Sequence, residues 1–360
     1  MGLKITRKQD EMLTRLLVQL CELYNMALQQ RIDVWKSHRT SLTLYDQQKQ
    51  LTELRAGIEE YAQSPLKVQR DPLRRLDRAF KDFFRRCKSG ENPGFPRFRS
   101  PKRYNSFTVD CERSYYRKGE LQIVKLGKFR AKTRCKIKGK LKEIHVKRCG
   151  QKWQAQIVCD IGPAPEKIAV RNAVGIDLGI TSLVTLSDGT EISNPRWTKK
   201  EEKNLAEANR DLARKQKGSN NLKKSKERLR RVHQHIMGLR HSYLISVAKE
   251  IVSKYDLIVH EDLTIRNMAR SNYAKQILDA AWGKLIRRLN CEAEYAGKWV
   301  IPVNPRGTTQ RCSSCGEKVP KERRNRIHNC PNCGLVLGRD LNAALNILRL
   351  GEGLVATQNA

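Results

Sequence analysis

The sequence predicts an α/β protein built from unlike parts. A helical N-terminal region and a small antiparallel β domain precede a larger α/β domain that carries an inserted metal-binding knuckle. Three observations carry this. Apolar residues recur at helix spacing across residues 9 to 88 and then give way to short alternating strands as far as residue 170. The stretch AVGIDLGITSLVTLSDGTEIS then reads as strand, tight turn, strand and hairpin, followed by helices and by later strands that end in acids. Finally, Cys312, Cys315, Cys330 and Cys333 fall as C-x2-C-x14-C-x2-C.

Charge is the dominant compositional feature. Lys and Arg number 72 against 37 Asp and Glu, a formal net charge of +35 on 360 residues. Such an imbalance is self-repelling in a compact state. A polyanion relieves that cost, and the counterions it releases supply affinity. Nucleic acid is therefore the favoured partner class. A membrane is not: no helix pairs a basic face with a strong Trp/Phe/Leu face, and no run of 18 apolar residues is present. The opening MGLKITRKQD lacks the apolar core of a signal peptide, although Gly2 followed by Thr6 fits the short, common myristoylation pattern. An odd number of cysteines, 11, with no export signal points to a reducing cytoplasm and one metal site. The seven cysteines outside the knuckle (21, 87, 111, 135, 149, 159, 291) read as ordinary small buried residues.

Along the chain, Leu13, Leu16, Leu17, Leu20 and Tyr24 share one helix face, as do Leu73, Leu76, Phe80 and Phe83. Arg74, Arg75, Arg78, Arg85 and Arg86 lie between the latter, either as a solvated face or as polyanion contacts. GENPGFPRFRS (90 to 100) breaks the helices. Its Phe95, Arg97, Phe98 and Arg99 offer stacking faces and charge to nucleic acid, or else pin the loop to the core. LQIVKL, EIHVKR and WQAQIVC read as strands of a Lys-rich antiparallel sheet, the last placing Trp153, Ala155, Ile157 and Cys159 on one face. GPAPEK (162 to 167) is a linker, and KGSNN (217 to 221) divides a very basic helical hairpin. Residues 274 to 297 read as one amphipathic helix, and WVIPVNP as a further strand. His233, His235 and His241 read as surface groups, because no carboxylate or cysteine lies at ligand spacing.

The acids at the ends of apolar strands carry the chemistry. Asp177 stands between Ile176 and Leu178 inside a hydrophobic strand, an expensive placement unless its charge is compensated. Glu261 follows a buried LIV run, and Asp340 opens the last helix. Each has a bland alternative: Glu261 as a surface strand end, Asp340 as an N-cap contributing ~1 kcal/mol. Together they supply hard oxygen ligands from three separate elements. Phosphodiester cleavage by two divalent ions held roughly 3.5–4 Å apart needs such a set, and Mg²⁺ suits all-oxygen sites that also use substrate phosphates. Strand–turn–strand with later acids is the layout of an RNase H-like sheet. The four cysteines are spaced one residue under the usual range. Four thiolates suit a closed structural Zn²⁺ rather than a catalytic one with an open position, and in so short a segment the metal supplies folding energy.

These residues, in this order, resemble the TnpB family of transposon-encoded RNA-guided nucleases, relatives of the type V CRISPR effectors. The resemblance is carried by LYNMALQQR, LDRAFKDFFRRCKSGENPGFPRF, NSFT, VGIDLGITSL, LIVHEDL, TTQRCSSCG, CPNCG and RDLNAALNIL. It implies a RuvC-type, RNase H-like nuclease domain whose metal triad falls on Asp177, Glu261 and Asp340, with Asp262 outside it. It also implies a first wedge strand at 1–8, a helical recognition domain at 9–100 and a β-rich wedge domain at 101–170. The nuclease domain would occupy 171–311 and 337–360, with a zinc ribbon at 312–336. Family members usually open with a longer first strand than the LKI found here, which would shorten or weaken the wedge sheet.

The implied activity is Mg²⁺-dependent, RNA-guided cleavage of DNA beside a short adjacent motif. The partners are a transposon-derived guide RNA and double-stranded target DNA in a monomeric ribonucleoprotein, cytoplasmic and nucleoid-associated in a bacterium or archaeon. Arg74, Arg75, Arg85, Arg86, Phe95, Arg97 and Arg99 are the candidate nucleic-acid contacts. Two other functions compete. An RNA-guided DNA-binding repressor without cleavage would be expected to lack one or more acids, and a guide-independent structure-selective nuclease of RuvC type would not need the helical region.

Overall fold

A computed structural model describes residues 1–111, 114–133, 137–322 and 325–358. The chain divides into two units after Gly162.

In the first unit, β1 (Gly2–Lys4) leads into α1 (Arg7–His38), α2 (Leu44–Gly57), α3 (Glu59–Gln63) and α4 (Leu66–Lys88). Strands β2 (Ser106–Asp110), β3 (Tyr115–Arg117), β4 (Glu120–Ile123), β5 (Gly127–Lys132), β6 (Lys140–Cys149) and β7 (Lys152–Asp160) follow. A capping box starts α1: Thr6 accepts from the Gln9 backbone while the Gln9 side chain accepts from Thr6. All five periodic residues of α1 named above are buried, with Leu73 and Leu76 of α4. The strands form one antiparallel sheet in the order β2-β6-β7-β1-β5-β4-β3. Although β1 has only three residues, it pairs with β5 on one side and β7 on the other, and so lies inside the sheet with Leu3 buried. Trp153, Phe107 and Phe129 fill the core beside it.

The second unit opens with β8 (Ala173–Leu178), β9 (Ser182–Leu186) and β10 (Glu191–Ser193). Helices α5 (Trp197–Lys200), α6 (Glu202–Ala213) and α7 (Asn220–Lys254) lead to β11 (Leu257–Glu261). Then come α8 (Ile265–Met268), α9 (Ala274–Ala280), α10 (Trp282–Tyr295), β12 (Trp299–Val303), β13 (Ile327–Asn329), β14 (Val336–Gly338) and α11 (Arg339–Gln358). The central sheet has the order β10-β9-β8-β11-β12; the first three strands are antiparallel, and β8, β11 and β12 are parallel. The expected Asp-Gly turn joins β9 to β10, with Gly189 at φ +89° and the Asp188 carboxylate accepting from the Thr190 N–H at 2.8 Å. Helix α11 lies against β8 so closely that a Cβ on Gly175 would collide with the Ala344 carbonyl. That glycine lets the last helix reach the first strand.

Two expectations need correction. Residues 274 to 297 are not one helix: Ala281 adopts φ 54°, ψ 41° and separates α9 from α10. The turn brings the Trp282 indole inward, where it donates to the Gly179 carbonyl at 3.2 Å, an interaction that periodicity does not encode. Of the scattered cysteines among the described residues only Cys21 is buried; Cys87 and Cys291 are exposed and Cys111, Cys149 and Cys159 half-buried. They occupy helix surfaces and strand ends rather than core positions. Cys135 lies outside the described residues.

Candidate active site and four-cysteine metal centre

The parallel pairing of β8 and β11 sets the first two acids side by side. Val259 stands opposite Gly175 and His260 opposite Ile176, so Glu261 and Asp177 follow at the same level on adjacent strands. In open α/β sheets this end of parallel strands is where ligands bind. Asp340 comes from the first turn of α11.

Electrostatics tie the three together. Burial first, and then the charges of Glu261 and Asp340, push the Asp177 carboxyl up, against the opposing Arg339 charge and Leu178 backbone N–H, to about 7. Burial likewise raises Glu261, which is only 9% exposed, while the Thr308 hydroxyl donates to its Oε1 and opposes the shift. Asp340 makes no N-cap. Its carboxylate pairs with Arg339 at 2.8 Å and with Arg326 at 3.4 Å. Arg326 also donates to the Thr181 hydroxyl at 3.2 Å. A cleft of about 810 Å³ is lined by Asp177, Asp340, Thr181, Trp282, Lys321, Arg326 and Arg339 among others. Its mixed acidic and basic walls suit a divalent cation together with an anionic substrate. Three carboxylates, with Asp177 raised to about 7 by burial and then by the charges of the other two, fit the donor set of a hard cation. Sequence reasoning missed Thr308, Arg326 and Arg339; the only sequence signal for Thr308 is its place in the TTQRCSSCG stretch.

The cysteines form two copies of one turn. The Cys312 N–H donates to Glu317 O and Gly316 N–H to Cys312 O, while Cys330 N–H donates to Leu335 O and Gly334 N–H to Cys330 O. Gly316 and Gly334 both adopt positive φ, +77° and +74°, the left-handed position each turn needs. All four Sγ atoms lie within 4.8 Å of one another. Cys312 and Cys333 are 3.6 Å apart, and Cys315 and Cys330 3.5 Å. These spacings are far too long for a disulfide and close to the roughly 3.8 Å edge of a tetrahedron with 2.3 Å metal–sulfur bonds. The Glu317 backbone N–H, then the Asn332 side chain, lower the Cys315 thiol to about 6, whereas at Cys333 the Leu335 N–H is outweighed by burial and the neighbouring sulfurs and the thiol is raised to about 11. The donor set fits Zn²⁺.

The candidate nucleic-acid contacts lie in the first unit. Arg74 pairs with Asp110 at 3.1 Å and Arg75 with Asp71 at 2.8 Å, so both are engaged within the fold. Arg85 reaches Glu91 at 3.3 Å, Arg86 donates to the Asp82 carbonyl, and Arg99 sits over the Tyr24 ring. Phe95 stacks edge-on against Phe80 and Phe83 yet stays 48% exposed, beside Phe84 at 54%. Arg97 is exposed.

A family profile described as "Probable transposase", of the OrfB type of IS605, matches residues 156–272, and one for the Cas12f1-like TNB domain matches 282–347. A solved structure of a Cas12f1–sgRNA–target DNA complex superposes with a TM-score of 0.63 at 15% identity, covering 95% of this chain and 83% of that one. The fold is thus shared with Cas12f1. A protein of Streptomyces pristinaespiralis is 32% identical over 91% of this chain and 82% of its own length. InsQ of Escherichia coli K12 is 31% identical over 81% and 76%. Both carry the name "Putative RNA-guided DNA endonuclease". The TnpB-like protein L79 of Acanthamoeba polyphaga mimivirus is 26% identical over 50% of this chain and 38% of its own length. The chain belongs to the TnpB family.

Proposed function

We propose that this chain is an RNA-guided DNA endonuclease, the activity named for its Streptomyces and E. coli relatives, with a RuvC-type centre at Asp177, Glu261 and Asp340. The observation that carries the reading is the charge coupling of Asp177 to both other acids at the ends of two parallel strands. The sheet order, counted in sequence as 3-2-1-4-5, supports an RNase H-like nuclease domain. On this reading residues 1–8 and 101–170 form the wedge, 9–100 the recognition lobe, 171–311 and 337–360 the nuclease, and 312–336 the ribbon.

Asp177, Glu261 and Asp340 would hold two Mg²⁺, which when bound supply Lewis-acid activation of water and stabilisation of the leaving oxygen. The chain's own residues orient and screen. Thr308 donates to the Glu261 carboxylate, Arg339 and Arg326 pair with Asp340, and Lys321 and Arg326 bring positive charge to the cleft where a phosphodiester would lie. Cys312, Cys315, Cys330 and Cys333 would hold a structural Zn²⁺. The net charge of +35 suits a monomeric ribonucleoprotein that grips a guide RNA and a heteroduplex at once. Among the described residues no helix is long and apolar enough to cross a membrane. The exposed Phe84, Phe95 and Arg97 would stack on and neutralise nucleic acid.

Sequencing the RNA that co-purifies with the protein, followed by incubation with matching DNA and Mg²⁺, tests this reading. A discrete RNA with a variable 3′ end and cleavage beside its match are expected. Only random RNA, with cleavage unaffected by its removal, would instead favour a guide-independent nuclease; guided binding without cleavage would favour a repressor.

A further inference from the structure

Two asparagines on α11 connect the clusters. Asn342 and Asn346 stand one turn apart and are buried, at 0% and 7% exposure. Asn342 brackets Cys312: its Nδ2 donates to the Arg311 carbonyl at 2.7 Å, and its Oδ1 accepts from the Ser313 N–H at 2.9 Å. Asn346 donates to two carbonyls, those of Thr308 at 2.8 Å and Arg311 at 2.7 Å. The segment they grip ends in functional groups on both sides. Thr308 donates its hydroxyl proton to Glu261, and Cys312 is the first thiol of the knuckle. The helix that grips it carries Asp340 in its first turn.

We propose that Asn342 and Asn346 are positioning residues that lock the entry of the knuckle to α11, so that Asp340, Glu261 and the cysteine cluster keep one register. The proposal rests on reading Asp177, Glu261 and Asp340 as the carboxylates that hold divalent ions. Only an amide serves at these places. An aspartate at 346 would aim oxygens at two carbonyls with no proton to offer, and a leucine would leave the Thr308 carbonyl without this donor and the Arg311 carbonyl with Asn342 alone. An amide that satisfies several backbone groups of one segment allows one relative placement of helix and segment, whereas apolar packing alone tolerates small slides. The knuckle therefore does more than fold itself: through these two side chains it sets where the third carboxylate stands relative to the second.

The test uses the full-length protein, with Mn²⁺ as the probe read by electron paramagnetic resonance and zinc counted by elemental analysis. The Asn342→Ala/Asn346→Ala variant is expected to raise the Mn²⁺ half-saturation about tenfold, the lower end of what outer-shell partners usually contribute, while keeping its zinc. Thr308→Val, which leaves α11 and the knuckle intact, is expected to do the same, and Thr308→Ser to restore the wild-type value. Where alanine at both positions prevents folding, the single exchange Asn346→Ser is read in the same way. Unchanged Mn²⁺ half-saturation in the asparagine variant overturns the proposal. So does zinc lost in step with Mn²⁺, which would make the asparagines part of the knuckle's own fold and nothing more. Asp177→Ala measured alongside separates the two readings: wild-type Mn²⁺ affinity in that variant refutes the carboxylate site itself, whereas weakened affinity there with none in the asparagine variant refutes only the clamp.

Discussion

The four cysteine sulfurs and the three carboxylates lie in the same unit, but the chain brings only the sulfurs into a ready-made ligand set. All four Sγ atoms fall within 4.8 Å of one another. Two short turns with left-handed glycines deliver them, so the geometry is local and cheap. The carboxylates arrive from β8, β11 and α11, and two of them are held by borrowed partners: Thr308 on Glu261, Arg339 and Arg326 on Asp340. Among the described residues Asp177 has no comparable side-chain partner, and its carboxyl is pushed up to about 7. Local turns thus preset the sulfur positions, whereas the charges of Glu261 and Asp340 act on the buried Asp177 carboxyl, and on the reading proposed above a cation would offset them.

The largest effect expected from breaking this contrast is at Asp177. Asp177→Ala should lower target cleavage at least ~10³-fold while guide-RNA and target binding, followed by gel shift, stay within about twofold. Cleavage retained in that variant would sink the assignment. The complementary break is Cys330→Ser. It should release zinc and unfold the knuckle, seen as lost zinc content and a lower melting temperature, and it should reduce cleavage with all three acids intact. Full zinc content and unchanged melting would argue against a structural metal.

A sharper comparison uses pH. Because the folded-state value of Asp177 is raised to about 7, the folded chain binds more protons than the unfolded one between pH ~4 and that value. Its contribution is therefore most favourable at low pH and is lost as pH rises through the folded value. Metal-free Asp177→Asn should be more stable than wild type at pH 8, by ~1–3 kcal/mol, with the gap closing toward pH 5. Denaturant midpoints measured with chelator would check this, and a gap that widened on acidification would contradict it. The smallest effect is at the aromatic edge of the first unit: Phe84→Ala with Phe95→Ala should weaken nucleic-acid binding by ~1–3 kcal/mol without altering folding. Identical affinity in a filter-binding assay at fixed salt would remove those rings from the interface.

Much of this was legible in the sequence because it is local. The cysteine turns, the Asp-Gly hairpin, the apolar faces of α1 and α4, and the acid within apolar β8 all show in windows of a few residues, where backbone preference and periodicity act. The short first strand misleads for the same reason: three residues carry little periodic signal, and only pairing with β5 and β7 reveals that they lie inside a seven-stranded sheet. The break at Ala281 and the exposure of Cys87 and Cys291 were equally out of reach, since both depend on what packs alongside.

The residue types that carry the proposed chemistry were thus determined by the sequence alone: an aspartate too costly for a hydrophobic strand, two further strand- and helix-end acids, and four cysteines at ligand spacing. Their relation to one another was decided by tertiary structure. The register of β8 and β11, the glycine that admits α11, the Thr308 hydroxyl and the two asparagines join residues 29 to 169 positions apart in the chain. Local preference cannot encode distances between segments so remote; only their packing around a common sheet does.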